Sequence, residues 1–372
     1  MIRGLKAIDY SGFAESIVRD AKELQMYALY FIASTKVSTI PGISIAGSDP
    51  NATLYTPTLD VEYLTLGKPK TLDIIPVTPD GIPTPAVLTR ASLKLLKIPY
   101  LIVNCGAYIE PQVPHVSLPG RSVGGRIDVE DALPTENVIR LYSSGKTLGL
   151  MIGKRDCVFI VGESIPGGTT TAMSIMEALG YRASGRVSSA SPENPHNLKI
   201  EVFAKALKRC GLQLPVKDVF DAVAIFGDPL HISIAGFVSG AIEQEAKVLL
   251  AGGTQMCAVL AILKKLSINI AGKVAIATTR WIVEDNSADM AGLVKDIAPE
   301  IPILYPLLSF VDTPYSGLMA YEKGYVKEGV GAGGTIVGAL IKGFDINDIK
   351  KSIYGEYQAL VTDGYVSQYK KD

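Results

Sequence analysis

The chain has 372 residues, 48% of them hydrophobic, and 36 Lys and Arg against 37 Asp and Glu leave a formal net charge of −1. That length can bury a sizeable core, and a near-neutral chain without a long basic run excludes a nucleic-acid binder, which needs clustered positive surface. Cys105, Cys157, Cys210, Cys257 and three histidines are scattered without ligand or disulfide spacing, which argues against a zinc site and for a reducing compartment.

The first residues, Met1-Ile-Arg-Gly-Leu-Lys, lack the charged start and apolar core of a signal peptide. The longest apolar stretches, such as 256–263, are too short to span a bilayer. A cytoplasmic protein without a membrane partner is expected. In chain order, the patterning predicts a helix over 13–24 and a strand over 27–33. Residues 40–87 carry eight prolines and read as an irregular excursion with short strands. A helix over 85–97 and a strand over 100–104 follow, then a second irregular segment over 111–134. The apolar run 157–161 suits a buried strand, and 169–179 a helix. A third irregular segment, 183–197, contains Arg186 and Asn194-Pro-His196. Beyond it the pattern predicts a helix over 198–210, a strand over 222–226, helices over 234–250 and 255–266, strands over 274–278 and 301–304, and helices over 333–341 and 345–365.

Near-continuous apolar strands imply a sheet covered on both faces, and alternation with helices implies parallel βαβ units. The expectation is a single α/β domain over 1–372: a doubly wound, mainly parallel Rossmann-like sheet with helices on both faces. Its core sheet would span about 27–342, and the chain ends, 1–26 and 343–372, would form a small helical part. No internal repeat or domain boundary stands out.

The most informative turn is Val161-Gly-Glu-Ser-Ile-Pro-Gly-Gly-Thr-Thr-Thr-Ala172, between a strand and a helix. Glycines there present backbone N–H groups at the positive end of a helix dipole, an anion site most often used for phosphate. A plain helix start capped by threonine stays open beside that reading. No Gly-Lys-Ser/Thr follows, and the spacing is not Gly-x-Gly-x-x-Gly, so neither an ATPase nor a dehydrogenase is indicated. Glu163, at the strand's end, is an acid beside a phosphate cradle.

A second glycine motif, Lys327-Glu-Gly-Val-Gly-Ala-Gly-Gly334, follows Leu318-Met-Ala-Tyr-Glu-Lys-Gly-Tyr325. With Gly162-Glu-Ser-Ile-Pro-Gly-Gly-Thr-Thr170 it resembles the nicotinate-nucleotide:dimethylbenzimidazole phosphoribosyltransferase family. That family carries Glu-Met-Gly-Ile-Gly-Asn-Thr-Thr and Gly-Glu-Gly-Thr-Gly-Ala at the two places. Ser184-Gly-Arg186, Leu198-Lys199 and Ile234-Ala-Gly-Phe-Val-Ser239 resemble family segments in the same order. The match covers 155–342; the first 150 residues look more like an archaeal or cyanobacterial branch. Departures are the lost asparagine of the phosphate loop, Pro166 in place of a glycine, and no visible Asp-His-Gly segment.

The resemblance implies phosphoribosyl transfer from nicotinate mononucleotide to a benzimidazole-type base, giving an α-ribazole phosphate and nicotinate. It implies a phosphate anchor at Gly167, Gly168, Thr169 and Thr170, with Arg186 and Lys199 as donors to the nucleotide. The glutamate of the second motif, the family's base, falls on Glu328. Glu163, Gly329 and Gly331 are candidate contacts to the ring or incoming base. The pyridinium leaves as a neutral ring, so no cofactor and no metal are called for. A homodimer is expected on the same ground. His231 has no assigned role. The alternatives are a nucleotide N-glycosidase, with water in place of the base, and a non-catalytic protein that binds a nucleotide or corrinoid precursor.

Overall fold

The computed structural model describes residues 2–72 and 81–369, with side chains described as far as residue 361. At its centre is one sheet of eight strands: β1 Leu5–Ile8, β2 Gln25–Ala33, β3 Tyr100–Gly106, β4 Val116–Ser117, β5 Cys157–Ser164, β6 Lys247–Ala251, β7 Val274–Ala277 and β8 Ile303–Pro306. Their spatial order is β1-β8-β7-β6-β5-β2-β3-β4. All neighbours are parallel except β1, which runs antiparallel to β8 with Leu5 opposite Pro306. The helices are α1 Ala14–Glu23, α2 Thr56–Leu66, α3 Ala86–Leu96, α4 Thr135–Ile152, α5 Gly168–Ala178, α6 His196–Cys210, α7 Val219–Phe226, α8 Pro229–Glu243, α9 Gln255–Lys265, α10 Arg280–Val283, α11 Met290–Ile297, α12 Ser316–Glu322, α13 Ala332–Ile341 and α14 Ile346–Tyr369.

Alternate strand residues face opposite layers, as the pleat requires. Leu29, Phe31, Phe159, Val161, Val248 and Leu250 bury against α4, α5, α7, α8 and α9. Ala28, Tyr30, Ile32, Ile160 and Leu249 bury against α1, α3, α13 and α14. Each fully buried Leu, Ile or Phe stabilises the fold by about 1.5–3 kcal/mol, so both faces are needed. On the first layer α4 crosses α8 at very close range. A Cβ on Gly149 would lie 2.3 Å from the Phe237 carbonyl and one on Gly240 2.1 Å from that of Lys146, so glycine is required on both helices. Among the described residues no helix is long and apolar enough to cross a membrane.

The strand order reverses between β2 and β5. From β2 the chain adds β3 and β4 on one side, then returns to place β5, β6, β7 and β8 on the other. Ligands of such sheets bind beyond the carboxyl ends of the strands at this reversal. The register sets Phe31 beside Glu163 and Ile32 beside Ser164, which puts the first glycine motif at that point.

Four expectations differ from the structure. Residues 222–226 belong to helix α7, whose first N–H groups are capped by the Asp218 carboxylate. A short apolar run cannot by its period be told from a buried helix. The helix expected over 234–250 ends at Glu243; Glu245 turns left-handed with φ 63° and the chain re-enters the sheet as β6. The described part of 40–87 contributes α2 and not strands, although 73–80 lie outside the described residues. The N-terminal stretch expected to be helical supplies β1, the antiparallel edge of the main sheet, and α14 packs on α3 against the same domain.

Candidate active site

β5 ends in Glu163 and Ser164, and the chain turns through Ile165 and Pro166 into α5. Gly167 has φ 78°, and a Cβ there would meet the backbone of Ser38 at 2.9 Å, so the turn admits only glycine. Within it Gly168 N–H donates to Ile165 O and Thr170 N–H to Gly167 O. Of the four N–H groups expected to cradle phosphate, those two are turned inward; those of Gly167 and Thr169 are given to no backbone carbonyl among the described residues. Thr170 Oγ1 and Gln255 Oε1 are buried beside this turn without a partner. Thr171 Oγ1 donates to Asp228 Oδ2 at 2.5 Å, and Asp228 also caps α8 and holds His231 Nδ1 at 2.6 Å. His231 therefore lies in the first turn of α8, tied through Asp228 to the start of α5.

The second motif descends on the same strand ends. Gly331 has φ 68° and its Cβ would lie 2.9 Å from the Cα of Gly162; Gly333 would meet the carbonyl carbon of Thr278 at 2.2 Å. These contacts let the turn rest directly on β5 and β7. Glu328 then points into a ring of donors: Thr279 N–H at 2.9 Å, Gly333 N–H at 3.0 Å, Gly329 N–H at 3.2 Å and Thr278 Oγ1 at 3.2 Å. The start of α13 adds its dipole. Burial nonetheless outweighs those donors and pushes the carboxyl up to about 7. Glu163 is raised well above its ordinary value, first by burial and then by the charges of Glu328, Asp60 and Asp228. Gly252 and Gly253, after β6, adjoin the two acids: a Cβ on Gly252 would lie 3.7 Å from Glu163 Cγ, and one on Gly253 3.8 Å from Glu328 Cβ. A carboxyl that titrates near neutrality can take a proton from a bound N–H and return it.

Lys199 is fully buried and donates to Ser188 O at 3.1 Å. Burial, and after it the charge of Lys327, brings its ammonium down to about 7. Lys327, next to Glu328, is also buried and reaches Asp285 at 2.7 Å, Ser191 O and Asn194. Against burial, bonds from Lys327, Asn194 and Ser287 hold Asp285 down to about 2. Two buried ammonium groups thus stand near one carboxylate, which Lys327 alone contacts directly. Arg186 behaves differently from expectation. Its nitrogens bind Asp289, Asp296 and the Arg182 carbonyl, so it staples the 183–187 loop to α11. The structure brings Glu163, Glu328, Gly329 and Gly331 together, sets Gly167 to Thr170 at the head of α5, and commits Arg186 elsewhere.

Sequence reasoning missed Asp60 on α2, which accepts from Thr84 Oγ1 at 2.6 Å and Ser164 Oγ at 2.7 Å. It also missed Lys327, Thr278 and Thr279. Lys327 was legible as the first residue of the second motif, whereas nothing local marks Asp60.

A mainly parallel α/β sheet with two buried acids beyond the carboxyl ends of its strands, Glu163 at the reversal point and Glu328 past β7, is the arrangement of an enzyme that works on a small bound ligand. Residues 94–280 match the sequence profile of the phosphoribosyltransferase family, and the chain belongs to that family as a phosphoribosyltransferase enzyme. A UPF0284 protein of Aeropyrum pernix is 48% identical over 354 residues, 94% of this chain and 97% of that protein. A second, from Pyrobaculum aerophilum, is 46% identical over 333 residues, 90% of this chain and 95% of that protein. The solved structure of nicotinate-nucleotide-dimethylbenzimidazole phosphoribosyltransferase from Thermus thermophilus has the same fold, with a TM-score of 0.60 at 16% identity over 92% of this chain and 89% of that one.

Proposed function

We propose that the enzyme transfers phosphoribosyl from nicotinate mononucleotide to a ring nitrogen of a benzimidazole-type base in the assembly of cobamide lower ligands. The observation that carries this reading is Glu328, a buried carboxyl poised near neutral pH and aimed by four donors over the strand ends. The base nitrogen attacks the anomeric carbon as the bond to the pyridinium nitrogen breaks. The bonding pair stays with that nitrogen, and nicotinate leaves as a neutral ring. The N–H proton of the incoming base passes to Glu328. The phosphate lies against Gly167 and Thr169 N–H and the free hydroxyl of Thr170. Lys199 and Lys327 supply positive charge for the nucleotide's anionic groups. Holding both substrates in line lowers the barrier by several kcal/mol, roughly what positioned reactants gain.

The test is to mix pure protein with nicotinate mononucleotide, with and without a panel of benzimidazoles, purines and phenols, and to identify products by mass. Ribazole phosphate formed only with acceptor present supports transfer. Nicotinate released without acceptor makes the protein an N-glycosidase, and nucleotide retained intact makes it a binding protein. The working unit in this reading is a homodimer, and sedimentation at micromolar concentration giving a stable monomer overturns that part.

A further inference from the structure

α2 and α3, from the N-terminal third, clamp over both glycine motifs. Thr89 of α3 donates to Val330 O at 2.9 Å, and the ring of Pro85 packs on Gly329, where a Cβ would come within 3.0 Å of it. Asp60 of α2 sits where this clamp meets the first motif. One oxygen accepts from Thr84, the neighbour of Pro85; the other accepts from Ser164, the neighbour of Glu163. Its carboxyl is therefore tied to the neighbour of Glu163, whose proton it helps to retain, and to the loop residue before Pro85, which packs on Gly329, and it is 5% exposed.

The donors that hold Asp60 are neutral hydroxyls. Among the described residues it pairs with no Lys, Arg or His. A carboxylate oxygen accepts two hydrogen bonds, and each Asp60 oxygen has one donor among the described residues, so each can take one more. Burying a carboxylate without a cation and with half its acceptors idle is costly unless a donor arrives. A tie between α2 and β5 would need only a hydroxyl or an amide.

We propose that Asp60 reads the acceptor: the enzyme selects a heterocycle carrying an exocyclic O–H or N–H donor over an isostere that carries a methyl group in its place. This rests on the transfer reading above and names the acceptor class for the same site. Burial raises the Asp60 carboxyl only to about 6, so it is ionised and accepting at neutral pH. A methyl group against it would leave the carboxylate desolvated and unpaired, the situation in which polar sites discriminate strongly.

The experiment measures kcat/KM with nicotinate mononucleotide for a matched pair, 5-hydroxybenzimidazole and 5-methylbenzimidazole, in the parent protein, in Asp60→Asn and in Ser164→Ala. Calorimetric binding of each base to the parent is measured in parallel. In the parent the hydroxy base should lead by roughly 10–100-fold, in turnover and in binding. Asp60→Asn should shrink that ratio by roughly tenfold or more, and Ser164→Ala should shrink it in part. Equal use of the two bases by the parent overturns the proposal while leaving transfer intact, as does a loss in Asp60→Asn that is the same for both bases. Transfer to neither base, with the nucleotide hydrolysed or retained, overturns the transfer reading itself. The parent ratio is read without any variant, so a misfolded Asp60→Asn cannot rescue the idea.

Discussion

Glu328 is held by four donors yet titrates near neutrality because burial outweighs them. A base in that state must lose its proton before it can accept one. Activity with an N–H acceptor should therefore rise with pH through about 7 and level off above it. Glu328→Gln keeps the shape and removes proton acceptance. Its kcat should fall by roughly 10²–10⁴-fold, the usual contribution of a positioned base, with nucleotide affinity little changed. Steady-state kinetics beside equilibrium nucleotide binding check this; parental turnover with collapsed affinity would make Glu328 a binding residue. Arg186 and Lys199 separate in the same assay. Arg186→Gln should leave the nucleotide KM within about twofold and cost about 1 kcal/mol of stability, because its ion pairs are partly solvated. Lys199→Met should raise that KM by roughly tenfold or more, since the proposed donor to the nucleotide's anionic groups, which binding an anion would hold protonated, is removed.

Among the elements, α5 and α13 position the candidate site because each starts on a glycine that allows a close backbone approach, Gly167 to Ser38 and Gly331 to Gly162 of β5. The test of that idea is Gly333→Ala. The new methyl would lie 2.2 Å from the carbonyl carbon of Thr278 and 2.5 Å from Glu328 Oε2. Backbone cannot give way cheaply, so the start of α13 must lift and Glu328 must lose the donors it holds there. Stability should drop by about 1–3 kcal/mol, as overpacked sites do, and kcat should fall with it. Thermal melts with parallel kinetics check both; an unchanged kcat would mean that the close seat of α13 does not aim the carboxyl. The same layer explains why elements were legible unequally. β5 and β2 are long, apolar and buried on both faces, so their type shows locally. The 222–226 run is equally apolar, but Asp218 caps it as a helix, and only its neighbours place it in a layer over the sheet.

At the scale of the molecule, raised carboxyls set the pH response of the fold. An unfolded glutamate ionises near about 4.3. Folded Glu163 keeps its proton to well above that. As pH rises from 4 the unfolded chain sheds this proton first, so stability falls across the window up to the folded value. Glu163→Gln removes that dependence and should raise Tm relative to the parent at pH 8 far more than at pH 4. Calorimetry at the two pH values checks the sign, and an equal shift at both would show that the fold does not raise the Glu163 carboxyl.

What the amino-acid sequence determined by itself was whatever a few consecutive residues can specify. Glycines that must take positive φ mark both motif turns, Glu163 and Glu328 stand inside those turns, and apolar runs between helical periods mark a parallel sheet. These are short-range demands of backbone geometry and burial. The tertiary structure alone decided what depends on distant partners. Asp60 meets the first motif only when Ser164 and Thr84 reach it, Lys199 is brought down to about 7 only when the fold buries it and sets Lys327 near it, and Arg186 is withdrawn only when α11 brings Asp289 and Asp296 to it. A charged side chain carries no local sign of its partner, because the energy that settles its role is the exchange of water for whatever the fold sets against it.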